Sequence, residues 1–331
     1  MELLFLAACC IAAFPEVTCQ AQEDADSSRV IVYHAGSLNA AFNNLSAAFT
    51  AKTGIPVEHR GFGAVEAARR ATVGGEPVDV YATVDHSNID LFLKPDWADY
   101  SIRFATGAEV LAYTTESRLA GSIADPNGPA FDPPSSIPDA APDWRAILLA
   151  DSVRIGGSDP NVDPGGYRAL MVMQLAERLY GIPGGGFQKK YAITRAGQQL
   201  GTDYDYSFYY EHSARNAKTN PNYRYVRLPD AVDLSDPANE NHYNRAGLVI
   251  SGLAPGDPPA TVRGTAIVFG VTVLKRAPHP REAVSFLEFM FSAEGMALQK
   301  AAGIDPIAPV ASPKDAEVLP VPLRNMVTIT R

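Results

Sequence analysis

Short β-branched runs alternate with stretches of helical period along much of this chain. Val30-Ile31-Val32 reads as a buried strand, and Leu38, Ala41, Phe42, Leu45, Ala48 and Phe49 then recur every three or four residues, one apolar face of a helix. Val57 sits on a second strand, and a helix over 64–73 follows Gly61-Phe62-Gly63. Val78–Ala82, Glu109–Tyr113, Val153–Gly156, Asp205–Tyr210, Tyr225–Leu228 and Ile267–Leu274 read as further strands. Gly165–Tyr180, with Leu170, Met173, Leu175 and Leu179, is an amphipathic helix, and Pro280–Phe291 and Ala293–Ala301 are two more. Ala124–Pro142 is rich in Pro, Asp and Ser, a surface excursion, and Gly184–Gly186 is a loop. No internal repeat is present. Alternation of this kind implies an α/β fold with mostly parallel sheets.

The 331 residues suffice for two lobes with a sizeable core, and 46% hydrophobic with 20% charged residues marks a globular chain. The net charge of −9 comes with no Lys/Arg cluster, which argues against a nucleic-acid partner. A small anion would have to be held by local dipoles, because the global field repels it.

Leu3 to Phe14 is apolar but too short to span a bilayer, so 1–21 reads as an export signal. Leu6-Ala7-Ala8-Cys9 resembles a lipoprotein cleavage box, and Val17–Ala21 offers a second end. Glu2 occupies the place of the usual basic residue, which points to a start upstream. Cys9, Cys10 and Cys19 all fall in this segment, so cleavage at Cys19 or beyond leaves at most one thiol, and neither disulfides nor thiolate metal sites organise the fold. An acidic, polar tether, 22–28, follows. The expected location is the periplasm or the outer face of the cell membrane, with a lipid anchor as the one route to the membrane.

Tyr33-His34-Ala35-Gly36-Ser37-Leu38 carries the most information. It leaves a strand and enters a helix whose first amides lack internal partners and carry partial positive charge, which suits an anion. Ser37 reads equally as a helix cap. Four further segments complete a pattern: Asp-Val-Tyr-Ala-Thr-Val-Asp (79–85), Asp-Pro-Asn-Val-Asp-Pro-Gly-Gly-Tyr-Arg (159–168), Val-Phe-Gly-Val-Thr-Val-Leu-Lys (268–275) and Ala-Val-Ser-Phe-Leu-Glu-Phe-Met-Phe-Ser-Ala-Glu-Gly (283–295).

In order and at this spacing, over roughly 29–310, these segments resemble the periplasmic tungstate/molybdate-binding proteins of ABC importers, in particular the archaeal-type branch. The last two are shared by many solute-binding proteins, and the first and third are specific. The resemblance implies a type II, two-lobed periplasmic-binding-protein fold, α/β with mixed sheets flanked by helices and a ligand cleft between the lobes. Lobe I would comprise 29–113 plus 264–331 and lobe II 114–263. It implies a monomer that is not an enzyme, needs no cofactor, and hands a small oxyanion to a permease.

The resemblance also gives residues roles. Gly36 and Ser37 would donate from one lobe. Thr83 stands where the family has a serine and would add a second hydroxyl, though it reads equally as a turn residue. The Asp163-Pro164-Gly165-Gly166 turn would aim a second helix N-terminus into the cleft. Tyr210 matches a family tyrosine whose hydroxyl reaches an oxyanion oxygen, or is a half-buried strand residue. Asp163 is either an N-cap or, as in the family, a carboxylate approaching the metal, which accepts hard oxygen ligands. The family's partner glutamate is replaced by Tyr209, with Glu211 two residues along and on the same side if the strand continues. Its cysteine after Asp-Pro is replaced by Gly165. These departures weaken the case for octahedral coordination and leave oxyanion binding intact.

Two rival readings share these residues. Ferric-iron-binding proteins of related fold use adjacent tyrosines with a His and a carboxylate, and Tyr209, Tyr210, His34, Glu211 and His212 offer that set. Sulfate and phosphate compete for the same donors. A hydrolase using Ser37 and His34 lacks the Gly-x-Ser-x-Gly context, the six histidines (34, 59, 86, 212, 242, 279) show no zinc spacing, and no phosphate-cradling Gly-x-x-x-x-Gly-Lys loop exists.

Overall fold

The chain folds as two α/β lobes whose sheets are both mixed, and the computed structural model describes residues 28–123, 144–217 and 220–330. The expected export signal, all of the tether but Ser28, and the Ala124–Pro142 excursion lie outside the described residues. The strands are β1 Val30–Ala35, β2 Val57–Phe62, β3 Val80–Thr83, β4 Ile102–Thr106, β5 Glu109–Thr114, β6 Ile155–Gly157, β7 Tyr191–Ile193, β8 Tyr206–Tyr210, β9 Tyr223–Arg227, β10 Gly247–Ile250, β11 Ala260–Arg263, β12 Val268–Val273, β13 Asp305–Ala311 and β14 Thr328–Ile329. The first sheet runs β14-β13-β4-β12-β3-β1-β2, the second β7-β6-β8-β5-β9, and β10-β11 form a ribbon.

Within the first sheet β1 lies parallel to β2 and β3, whereas β12 is antiparallel to β3 and β4. In the second, β5 runs antiparallel to β8 and β9, and β6 lies parallel to β7 and β8. The mostly parallel arrangement expected from alternation is therefore corrected: the return strand β12 enters between β3 and β4 from the other lobe, and its direction is set by that crossing.

The chain crosses between sheets twice, from β4 to β5 and from β11 to β12. The first crossing falls at Gly107–Ala108, so β5 belongs to the second lobe and the boundary expected after residue 113 moves ahead of it. The second spans 264–267. The crossings are joined to each other and to the second lobe: Gly107 N–H donates to Ile267 O (3.1 Å), Ile267 N–H to Leu234 O (2.8 Å) and Glu109 N–H to Asp233 O (2.8 Å).

The apolar face expected from Leu38 to Phe49 is buried through Leu38, Ala41, Phe42, Leu45 and Phe49. The helix carrying it, Asn39–Thr53, packs on Pro280–Phe291, with the Phe49 and Phe286 rings edge to face at 5.3 Å. Asp79 ties that second helix to the sheet, accepting from Ile31 N–H (2.8 Å) and from His279 N–H (2.6 Å). In the second lobe the long helix Pro164–Leu179 lies across β8 and β5, with Tyr167, Met171, Val172 and Leu175 in the core.

Direct bonds join the lobes. Glu66 N–H donates to Val162 O (3.1 Å), Arg69 Nε to Leu253 O (2.8 Å), Asn216 Nδ2 to Ala302 O (2.6 Å) and Arg215 Nη1 to Asp305 Oδ2 (2.9 Å). Gly63, just before the Ala64–Ala71 helix, passes so close to the Val162 carbonyl that a β-carbon would collide with its oxygen. Gly63→Ala should therefore hold the lobes apart without unfolding either. We expect small-angle scattering to show a larger radius of gyration than the parent, with circular dichroism unchanged.

Candidate functional site

Three segments bring their ends to the seam between the lobes. From the first lobe, β1 runs into a single 3-10 turn, Gly36–Leu38, and then into the Asn39–Thr53 helix. Ser37 does not cap: no side chain closes either turn, and Ser37 Oγ is shut from solvent with no hydrogen-bond partner among the described residues. The neighbouring His34 is committed elsewhere. Its Nδ1 meets Ala35 O (2.8 Å), its Nε2 meets His59 Nδ1 (3.0 Å), and its ring stacks on Phe42 at 4.4 Å. Burial holds its pKa down at about 4, so it is neutral.

From the second lobe comes the N-terminus of the Pro164–Leu179 helix. Asp163 is its N-cap, accepting from Gly165 N–H through Oδ1 (3.2 Å), with Pro164 in the first turn, where no donor is lost. Burial pushes the Asp163 carboxyl up, and the Gly165 amide opposes that shift. Gly166 is required because the turn backs onto the main chain at Ser158–Pro160. At Gly165 a β-carbon would sit 3.7 Å from Cε2 of Tyr210, which places the Tyr210 ring against the first turn of this helix.

The third segment is the end of β8. Tyr210 is buried and its hydroxyl also has no partner among the described residues. Burial, then Glu109 and Asp163, raise its pKa well above the ordinary phenol value, so it stays a neutral donor. Tyr209, next along the strand, faces the other way and is 42% exposed. Glu211 does not join the group. The strand ends at Tyr210 and Glu211 opens a helix, Glu211–Asn216, so the register argument that would have carried it round fails. Its carboxylate accepts from Arg227 Nε (2.8 Å) and pairs with Arg215 Nη2 (3.2 Å).

Thr83 lies at the end of β3 as expected, yet its hydroxyl is engaged. Its Oγ1 accepts from Asp85 N–H (3.1 Å) and donates to Asp85 O (3.2 Å), the turn reading. That turn presents Asp85 to the second lobe. There Arg168 Nη2 pairs with Asp85 at 2.8 Å, Tyr167 donates its hydroxyl to Asp85 Oδ2 (2.7 Å), and Arg168 Nη1 donates to Thr265 O on the return crossing (2.5 Å). Burial alone would raise the Asp85 pKa, but the Arg168 guanidinium with the Ser87 and Tyr167 hydroxyls lowers it to about 2.

Sequence reasoning left three residues of this region without a role in the site. Arg168 sits on the apolar stripe with Met171, Val172 and Leu175, and a charge on a buried helix face was the available signal. Glu109 opens β5 directly opposite Tyr210, is 1% exposed, and leaves both carboxyl oxygens unpartnered among the described residues. His212, offered only for iron, stacks on Tyr210 at 5.4 Å, and burial takes its pKa down to about 3, opposed by the Ser37 backbone.

The structure thus brings Ser37, the Gly165–Gly166 turn and Tyr210 to one seam. It does not assemble the iron set: Tyr209 and Tyr210 diverge, His34 is bonded within the first lobe, and Glu211 is ion-paired. The hydrolase pair fails likewise, since neither His34 nitrogen reaches Ser37. Neutral donors with one guanidinium already neutralised by Asp85 suit a small anion that must be released again.

Comparison with known proteins agrees with this architecture. Residues 30–305 match the model of a bacterial extracellular solute-binding protein family. The molybdate/tungstate-binding protein WtpA of Thermococcus kodakarensis is 31% identical, over 88% of this chain and 85% of its own. That of Pyrococcus abyssi is 29% identical over 81% and 82%. Among solved structures, the periplasmic molybdate-binding protein of Azotobacter vinelandii covers 83% of this chain and 98% of its own, with a TM-score of 0.52 and 17% identity. The sulfate-binding protein SubI of Mycobacterium tuberculosis covers 91% and 94%, with a TM-score of 0.56 and 15% identity. These two likenesses show the two-lobed fold.

Breaking the buried pair should be costly because it strands a charge. Asp85→Asn is expected to lose about 3–5 kcal/mol in urea unfolding at neutral pH. The folded-state pKa of Asp85 is depressed, so its contribution is complete above the ordinary carboxylate range and is lost as pH falls toward about 2. The gap between parent and variant should therefore close on acidification over that window.

Proposed function

The chain belongs to the bacterial extracellular solute-binding protein family, and from that premise we propose that it captures tungstate or molybdate in the seam between its lobes and delivers it to an ABC-transporter permease. It works as a monomer at the periplasmic or outer face of the membrane and turns nothing over. No helix among the described residues is long and apolar enough to cross a membrane, so attachment would rest on the N-terminal segment.

One observation carries this reading. Ser37 Oγ from the first lobe and Tyr210 Oη from the second are both sealed from water without partners among the described residues, and Tyr210 lies against a helix N-terminus that offers a positive dipole end. A tetrahedral dianion has oxygen acceptors for donors arriving from both sides. Gly36 lets the first-lobe backbone approach, Ser37 and Tyr210 donate, Thr83 shapes the turn that positions Asp85, and Asp163 holds the amide-bearing turn in place. With Asp163 capping and Glu211 paired to arginines, this site uses hydrogen-bond donors around a tetrahedral anion instead of carboxylates on its metal.

Transport follows from differential affinity. An anion that touches both lobes binds the closed form better than the open one, shifts the population toward it, and lets the permease distinguish loaded from empty protein.

A thermal-shift panel of tungstate, molybdate, sulfate, phosphate and ferric citrate tests the reading. Ligand at about 100 times its dissociation constant stabilises by about 2.7 kcal/mol, a clear rise in Tm. Tungstate and molybdate should give it. A shift with ferric citrate alone, or with none of the five, would overturn the proposal. Ser37→Ala and Tyr210→Phe should each weaken molybdate binding by about 1.5–3 kcal/mol in calorimetry, one hydrogen bond to a charged group. Asp163→Asn retains the cap, since Asn caps as well as Asp, and removes a nearby negative charge. It should bind equally or more tightly, whereas weaker binding would assign the carboxylate to the metal.

A further inference from the structure

Among the described residues the Glu109 carboxyl has no hydrogen-bond partner. It immediately follows the first crossing, at the hinge end of the seam, on the face of the second sheet that Pro164–Leu179 covers. In the antiparallel register it stands directly opposite Tyr210, and residues so paired project on the same side. Among the described residues no donor meets either oxygen and no cation lies within ion-pair distance. Arg168, the guanidinium in its surroundings, already spends its terminal nitrogens on Asp85 and Thr265. Buried carboxyls retained for structure are paired or hydrogen-bonded, because desolvation is otherwise uncompensated.

We propose that Glu109 is a direct contact of the bound oxyanion, its carboxyl donating a hydrogen bond to a cargo oxygen alongside Tyr210. This rests on the oxyanion reading above and adds to it a proton requirement. A carboxylate there would repel a dianion, whereas the neutral acid is a donor of the same kind as the Tyr210 phenol. The charged and titratable groups around it are Arg168 and Asp163 on the helix, Asp233 after β9, Tyr210 and Tyr209 on β8, and Tyr191 on β7. Burial raises the carboxyl to about 8, with Arg168 opposing and Asp163 and Asp233 reinforcing. A dianion beside it favours the protonated form further. Below that range the proton is already in place, and above it binding must draw one proton from the buffer.

Calorimetry of the purified chain with molybdate, from about pH 6.5 to 9.5 in buffers of low and high ionisation enthalpy, tests this. Molybdate itself remains a dianion throughout. The parent should lose affinity above pH 8 by up to tenfold per pH unit, with proton uptake on binding. Glu109→Gln keeps a donor that cannot ionise, so it should bind with a flat profile and no uptake at that position. Glu109→Leu should bind at least about tenfold more weakly than the parent below pH 8, with a flat profile above it, yet melt at a higher temperature, since it removes an unpaired buried polar group. A Gln variant with the parent's slope, or a Leu variant that binds like the parent, overturns the assignment alone. A parent that binds molybdate, tungstate and sulfate at no pH overturns the oxyanion reading, and this assignment with it.

Discussion

The Asp85–Arg168 pair is the constraint on which the seam depends. It joins a turn at the end of a first-lobe strand to the first full turn of a second-lobe helix, and Thr265 ties the same guanidinium to the return crossing. A buried ion pair stabilises little by itself, because desolvation offsets most of the attraction. Its consequence here is positional. With Arg168 anchored, the helix N-terminus three to four residues before it is fixed against Tyr210. The Arg168 charge is spent on Asp85, so the proposed anion site is left with dipoles and hydroxyls. For cargo that must leave again, that division of labour matters more than the stability of the pair.

The overall charge of −9 is compatible with anion capture for the same reason. At physiological salt the field of distant surface carboxylates decays over about 8 Å, whereas amides and hydroxyls at contact distance are hardly screened once water is excluded. The hinge crossings supply that exclusion. They bond to each other at Gly107 and Ile267, and Tyr210 and Glu109 beside them are buried.

How much of this was legible in the sequence depended on whether local pattern decides the feature. The Asn39–Thr53 and Pro164–Leu179 helices, and the turns that open them, are encoded by apolar period and by Gly, Pro and Asp at fixed offsets, and they fold where that pattern puts them. Strand β13 carries Pro306 and Pro309, residues that argue against a ladder, and was missed. It pairs with β4 only around an irregularity between Pro306 and Val310. The sheet to which β5 belongs is a tertiary fact with no local signature, so the lobe boundary was placed too late. Glu211 was carried along an imagined strand, because the change from β8 to helix at Tyr210 has no Gly or Pro to announce it. Glu109 was invisible for a related reason: a Glu ahead of Val-Leu-Ala-Tyr reads as the solvated start of a strand, and only the packed helix reveals that it is enclosed.

Closure and selectivity then come from the same atoms. Bringing the lobes together removes groups such as Ser37 Oγ and Tyr210 Oη from water, and each such group costs about 1–3 kcal/mol when nothing meets it. A solute that meets several of them at once recovers those costs only in the closed form. The preference for closure is therefore set by how many donors the solute satisfies, not by how strongly it is attracted from afar. An oxyanion too small to span Ser37 and Tyr210 would leave one lobe's donors stranded and would shift the equilibrium little, however tightly it held the other. Size discrimination among chemically similar dianions would then follow from the distance the two lobes can close, across which Arg168 meets Asp85.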